Sequence, residues 1–256
     1  MDRLFLPSGA YKQLQNEKYS YLLDELRDAV VQAAGQCVAV ANAEGGRLMT
    51  AGGFMLRANS LLQSARAVEA ESEACALALR SVIELSIMGR YFVVGPDAAD
   101  EFAKAIRKAH ESETKLAIHV GLRNAPLPPP LQDAAARASG KPKSLYDLAE
   151  GLDVADGMTP GDPGSLVYFY RLWYQVVSNT LTHANPLSTK DYVSEQNGVL
   201  HLHDGAGRSL PPNVIAIACL LCELAADLLG ELNVSIEALP KPLLQRRATN
   251  WSVVQP

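Results

Sequence analysis

The chain has 256 residues, 48% of them apolar and 20% charged, with a formal net charge of −5. That balance is ordinary for a globular protein able to bury a substantial core. It excludes a surface that attracts nucleic acid as a whole, although a local patch of clustered Lys and Arg stays compatible with it. Aromatics are sparse at 6%, while alanine and leucine are plentiful, which tilts the expectation towards helices.

Residues 1–20 show no long apolar core behind a positive start, so no signal peptide is expected and the location expected is cytoplasmic. The next element, from Asn16 to Ala41, reads as an amphipathic helix, with Tyr19, Leu22, Leu23, Leu26, Val30 and Ala33 at helical spacing. The glycines between Ala43 and Gly53 are expected to break it. A second helix spans about 55–94, polar at first and nearly all apolar from Ala74, until Gly95-Pro96-Asp97 stops it and Asp97 caps the next.

That next helix covers about 98–120, with Phe102, Ala105, Ile106, Ala109, Leu116 and Ile118 as expected buried positions. The run from Asn124 to Pro130 reads as a stiff, polyproline-like linker, with short helical pieces at Gln132–Ala138 and Ser144–Glu150. After a Gly- and Pro-rich loop comes a helix from Ser165 to His183, ended by Asn185-Pro186. Asn197-Gly198 between two alternating runs predicts one small β-hairpin insertion near residues 191–204. The last core helix covers about 211–232. It contains the longest apolar run, Val214 to Gly230, which carries Glu223 and Asp227. Each of these charges would cost about 3 kcal/mol at mid-bilayer, so the run reads as a buried core helix and no membrane association is expected. The whole is an all-α antiparallel helical bundle in a single domain, residues 1–256.

Cys219 and Cys222 form a C-x-x-C in the middle of that helix. A zinc site needs about four ligands, and a redox C-x-x-C belongs at a helix start after a strand, so both read as core residues. His201 and His203 would share one face of a hairpin strand, but nothing nearby completes a metal site, and they read as facing solvent. No metal and no cofactor are expected.

Chemistry concentrates on two segments. On a wheel of about 100° per residue, Arg171, Gln175, Ser178, Asn179, Thr182 and His183 fall within an arc of roughly 140°, opposite an apolar side. In the second segment Arg80 and Glu84 lie four apart in a nearly apolar helix, so they must be partnered, by each other or by polar groups of another helix. Packed together, Arg80, Glu84, Arg171, Gln175, Ser178, Asn179 and His183 would form one polar layer. In one reading it ties the helices together and sets their register. In the other it cleaves RNA without a metal. His183 is then the general acid or base near a pKa of about 6.5, an arginine holds the phosphate, Ser178 and Asn179 orient, and Glu84 fixes an arginine. A third reading places a small-ligand pocket beside Trp173 and Tyr174.

The pairing of Arg80, Ser81 and Glu84 with a later helix carrying Tyr174, Ser178 and His183 resembles a bacterial branch of the HEPN-like (higher eukaryotes and prokaryotes nucleotide-binding) proteins whose function is unassigned. The resemblance covers roughly residues 18–229 in order of elements, with recognisable residues only in those two helices. It implies an antiparallel helical bundle, often a homodimer, and a role in RNA cleavage during stress or phage defence, or, where catalysis is lost, a module binding a protein partner. The chain departs from the active pattern. Arg171 lies twelve residues before His183 and is followed by Leu172, and Gln175 stands where related chains carry Arg.

Overall fold

A computed structural model describes residues 20–67, 73–122, 126–162, 165–175, 193–196, 199–202 and 214–248. It is mostly helical. The helices are α1 (Ser20–Ala34), α2 (Ala43–Ala67), α3 (Glu73–Val94), α4 (Ala98–His119), α5 (Pro129–Arg137), α6 (Leu145–Ala155), α7 (Leu166–Phe169), α8 (Val214–Glu231) and α9 (Lys241–Ala248). A π-helical turn, Tyr170–Gln175, continues α7 directly. Two short strands, β1 (Val193–Gln196) and β2 (Val199–Leu202), pair antiparallel with Val193 opposite Leu202 and Ser194 opposite His201. His203 and the expected turn at Asn197-Gly198 lie outside the described residues.

The core is built around α8. Ala218, Cys219, Leu221, Cys222, Leu224, Ala225 and Leu228 are all fully buried, and α1, α2, α3 and α9 pack on this helix. Each such leucine removed from water contributes roughly 1.5–3 kcal/mol. The two thiols sit in this interior as small apolar groups. No described helix is long and apolar enough to cross a membrane. A smaller cluster of Phe92, Phe102, Ala103 and Ala134 seats α4 and α5 against α3, with the Phe92 and Phe102 rings edge to face at 5.4 Å.

The glycine-rich stretch does not break the chain as expected. Helix α2 starts at Ala43 and runs straight through Gly45, Gly46, Gly52 and Gly53. The break falls earlier, where α1 ends at Ala34 and an exposed non-helical segment carries Val38 and Val40. A Cβ on Gly45 would stand 1.8 Å from the Val40 carbonyl oxygen, so the glycine permits a close chain crossing. Glycine costs a helix interior roughly 0.5–1 kcal/mol, which the packing of Leu48, Ala51 and Met55 outweighs. Within the expected helix over 55–94 the described residues belong to α2, described to Ala67, and to α3, described from Glu73. The proline linker ends at Pro128, because Pro129 and Pro130 form the first turn of α5, where a missing N–H costs nothing.

Candidate functional site

The segment expected to carry the chemistry starts as a helix because two side chains cap it from below. Ser165 Oγ accepts from the backbone N–H of Tyr168 at 3.0 Å and of Gly161 at 2.9 Å. The carboxylate of Asp153, on α6 and fully buried, accepts from Leu166 N at 2.6 Å and from Val167 N at 2.9 Å. A buried charge is stable here because it faces the unpaired N–H groups and positive end of α7. Helix α6 is itself started by a capping box between Ser144 and Asp147.

After one turn α7 widens into the π-helix. This corrects the expected continuous α-helix from Ser165, since the 100° wheel no longer describes residues 170–175. The rings of Tyr170 and Tyr174 stack at 5.0 Å with an interplanar angle of 21°. Tyr146 of α6 meets Tyr170 edge to face at 5.8 Å. An arginine closes each end. Arg171 lies over Tyr146, 5.5 Å from its centroid, and donates to its hydroxyl at 3.0 Å. Arg80 of α3 lies 4.8 Å from the Tyr174 centroid and donates to its hydroxyl at 3.0 Å. The result is a continuous ladder, Arg171–Tyr146–Tyr170–Tyr174–Arg80. Arg171 is exposed and the other four are half-buried. Burial raises the Tyr170 hydroxyl above its ordinary value, and neighbouring Tyr174 adds to the rise, so it stays a neutral donor.

The structure therefore brings α3 and the π turn together, as the polar-layer reading requires, but through tyrosines. Arg80 and Arg171 sit at opposite ends of the ladder. Glu84 is half-buried and has no hydrogen-bond or ion-pair partner among the described residues, so it does not fix an arginine as expected. Gln175 ends the π turn. Ser178, Asn179 and His183 lie outside the described residues. The sequence reading missed Tyr146 and Tyr170 as site residues; for Tyr170 the signal is the density of aromatics from Tyr168 to Tyr174, whereas nothing around Tyr146 in the sequence marks it.

The ionic centre of the fold is elsewhere. Arg90 of α3, 8% exposed, donates to Asp156 at 3.1 and 3.2 Å, to Glu223 at 3.2 Å and to Asp227 at 2.5 Å. It thereby joins α3, the end of α6 and α8. Burial acts to lower the guanidinium's pKa, but Glu223, Asp227 and Asp156 together outweigh it and hold the pKa above its ordinary value. A second cluster surrounds the start of α4. Carboxylate oxygens of Asp97, Asp100 and Glu101 lie within 4.8 Å of one another, a spacing that could hold a cation. Two ammonium groups already serve it. Lys143 reaches Asp97 at 2.8 Å and the Tyr91 hydroxyl at 2.7 Å, while Lys104 reaches Glu101 at 2.7 Å.

The chain matches no protein-family model, no curated protein and no solved structure.

Proposed function

We propose that this protein binds single-stranded RNA and is an antiparallel bundle of the HEPN-like kind, with His183 as the group that would cleave the bound strand without a metal. The observation that carries the reading is the Arg–Tyr–Tyr–Tyr–Arg ladder. Unpaired bases stack on aromatic rings and on guanidinium planes, at about 1–3 kcal/mol per base, whatever their sequence. The two terminal arginines supply charge for phosphates locally, which a net charge of −5 does not supply globally. Arg171 and Gln175 precede Ser178, Asn179 and His183 by a few residues in the sequence, and His183 is the residue of that run whose imidazole suits acid–base chemistry. Incubation with total RNA in EDTA tests the catalytic part. Cleavage that His183→Ala abolishes supports a metal-independent ribonuclease, and intact RNA with retained binding reduces the reading to an RNA-binding protein.

A second reading rests on a separate observation. The C-terminal end of α4 and the turn after it expose Leu116, Ile118, Val120 and Leu122, at 62%, 72%, 54% and 68%. Exposed apolar side chains concentrated at one end of a helix favour a contact surface there, and with it a non-catalytic module docking a protein partner. Loss of a co-purifying partner on Leu116→Ser and Ile118→Ser, with RNA binding absent in the parent, would select this reading.

A further inference from the structure

A groove of about 460 Å³ opens where α3, α4, the start of α6 and the π turn meet, and Tyr174 lines it. The ladder therefore runs into the groove through its last ring. The volume lies in the range that takes a small organic ligand, roughly 300–1,000 Å³. Its walls are Met88, Phe92, Leu148 and the Tyr174 ring, with Ala105 and Ala109 on α4 leaving the space open. Apolar walls that include two aromatic rings suit a nucleobase that has left the stack.

Four charged side chains line the groove, and they differ in availability. Glu101 has both oxygens engaged, Oε1 with Lys104 Nζ at 2.7 Å and Oε2 with the Lys143 backbone N–H at 2.7 Å. Lys143 Nζ is held by Asp97 and Tyr91. Glu84 and Lys108 have no partner among the described residues. The groove is thus lined by one uncommitted carboxylate and one uncommitted ammonium beside its apolar walls.

We infer that the groove is a guanine-selective subsite, with Glu84 reading the base and Lys108 meeting its phosphate. The inference rests on the RNA-binding reading above. A carboxylate has two acceptor oxygens and no donor. Guanine alone among the four bases offers two adjacent donors, N1–H and the N2 amino group, at the spacing of those oxygens. Adenine would set its N1 lone pair against the carboxylate, as cytosine would its N3. Uracil offers only its single N3–H. Charge-assisted bidentate pairing of this kind is among the stronger hydrogen-bonding arrangements.

Fluorescence anisotropy with the labelled RNAs UUGUU, UUAUU, UUCUU, UUUUU and an inosine-centred equivalent tests it. The parent protein is expected to hold UUGUU about tenfold more tightly than UUAUU, with inosine between them because it lacks the N2 amino group. Glu84→Gln replaces one acceptor by a donor and should bring UUGUU and UUAUU within about twofold of each other. The inosine comparison needs no variant, so a folding defect in Glu84→Gln leaves the test intact. Equal affinity of the parent for all five RNAs overturns the subsite and leaves the RNA reading standing. A guanine preference that survives in folded Glu84→Gln overturns the role of Glu84. Binding of none of the five overturns the subsite and the RNA reading together.

Discussion

Arg80 and Tyr174, 94 residues apart in sequence, meet twice, once through the guanidinium over the ring and once through a hydrogen bond of 3.0 Å. Helix α3 is thereby tied to the π turn at the edge of the groove. The contact orients a tyrosine whose face is already stacked on Tyr170, so ring geometry at one end of the ladder is set by a helix that contributes nothing else to it.

If the ladder is a stacking platform, removing a ring removes a base contact. Tyr170→Ala and Tyr174→Ala should each weaken binding of a short single-stranded RNA by about 1–3 kcal/mol. Tyr174→Phe keeps the ring and loses only the Arg80 bond, so it should retain most of the affinity. Titration by anisotropy at fixed salt decides this. Unchanged affinity in both alanine variants, with native circular dichroism, would remove the platform.

Replacing Arg90 tests the ionic centre. In Arg90→Met the groups Asp156, Glu223 and Asp227 lose the cation they share, and the half-buried and buried carboxylates repel one another. Breaking a buried pair from one side costs about 3–5 kcal/mol. Urea unfolding of the variant at neutral pH should show a loss of that order, and a loss below about 1 kcal/mol would mean that solvent already compensates these charges.

The Asp97 carboxyl connects stability to acid. Burial acts to raise its pKa, but hydrogen bonds from Lys143 and Tyr91 prevail and hold it below the ordinary 3.8. A carboxylate with a depressed folded-state pKa contributes stability that is complete above its unfolded-state value and lost as pH falls through the folded one. Asp97→Asn should therefore lower stability at pH 7 and flatten the fall of stability below about pH 4. Unfolding midpoints across pH 2–7 for both proteins test this, and parallel curves would exclude Asp97.

The interior thiols should be inert. Burial pushes Cys75 up to about 11 and raises Cys222 still further, with Cys219 and Glu223 adding to the latter. At pH 8 the native protein should expose neither thiol to Ellman's reagent on a timescale of minutes, whereas all four cysteines should react in denaturant. Rapid native labelling of Cys219 or Cys222, located by mass spectrometry, would show that α8 opens readily.

How much of this was legible in the sequence varied by element. The apolar run of α8 and its two carboxylates pointed to a buried core helix and not a membrane span, because hydropathy and the cost of a charge in a bilayer are local properties. The partner of those carboxylates was not legible. Arg90 is separated from Glu223 by 133 residues and from Asp227 by 137, and nothing in its neighbourhood distinguishes it from Arg80. Gly45 was misread for a related reason. Its role is to let the Val40 carbonyl approach, and only the folded chain contains that approach.

By itself, then, the sequence determined the helical class, the apolar character of α8 and the concentration of aromatic and polar groups between Tyr168 and His183. Composition and periodicity act over a few turns and need no distant partner. Tertiary structure decided that α7 widens into a π turn, that Tyr146 joins Tyr170 and Tyr174 in one ladder, and that Glu84 faces a groove and not an arginine. Each of these depends on which groups two distant helices bring within about 3–6 Å of each other, a distance at which hydrogen bonds and ring contacts choose among side-chain arrangements that local propensity leaves equal.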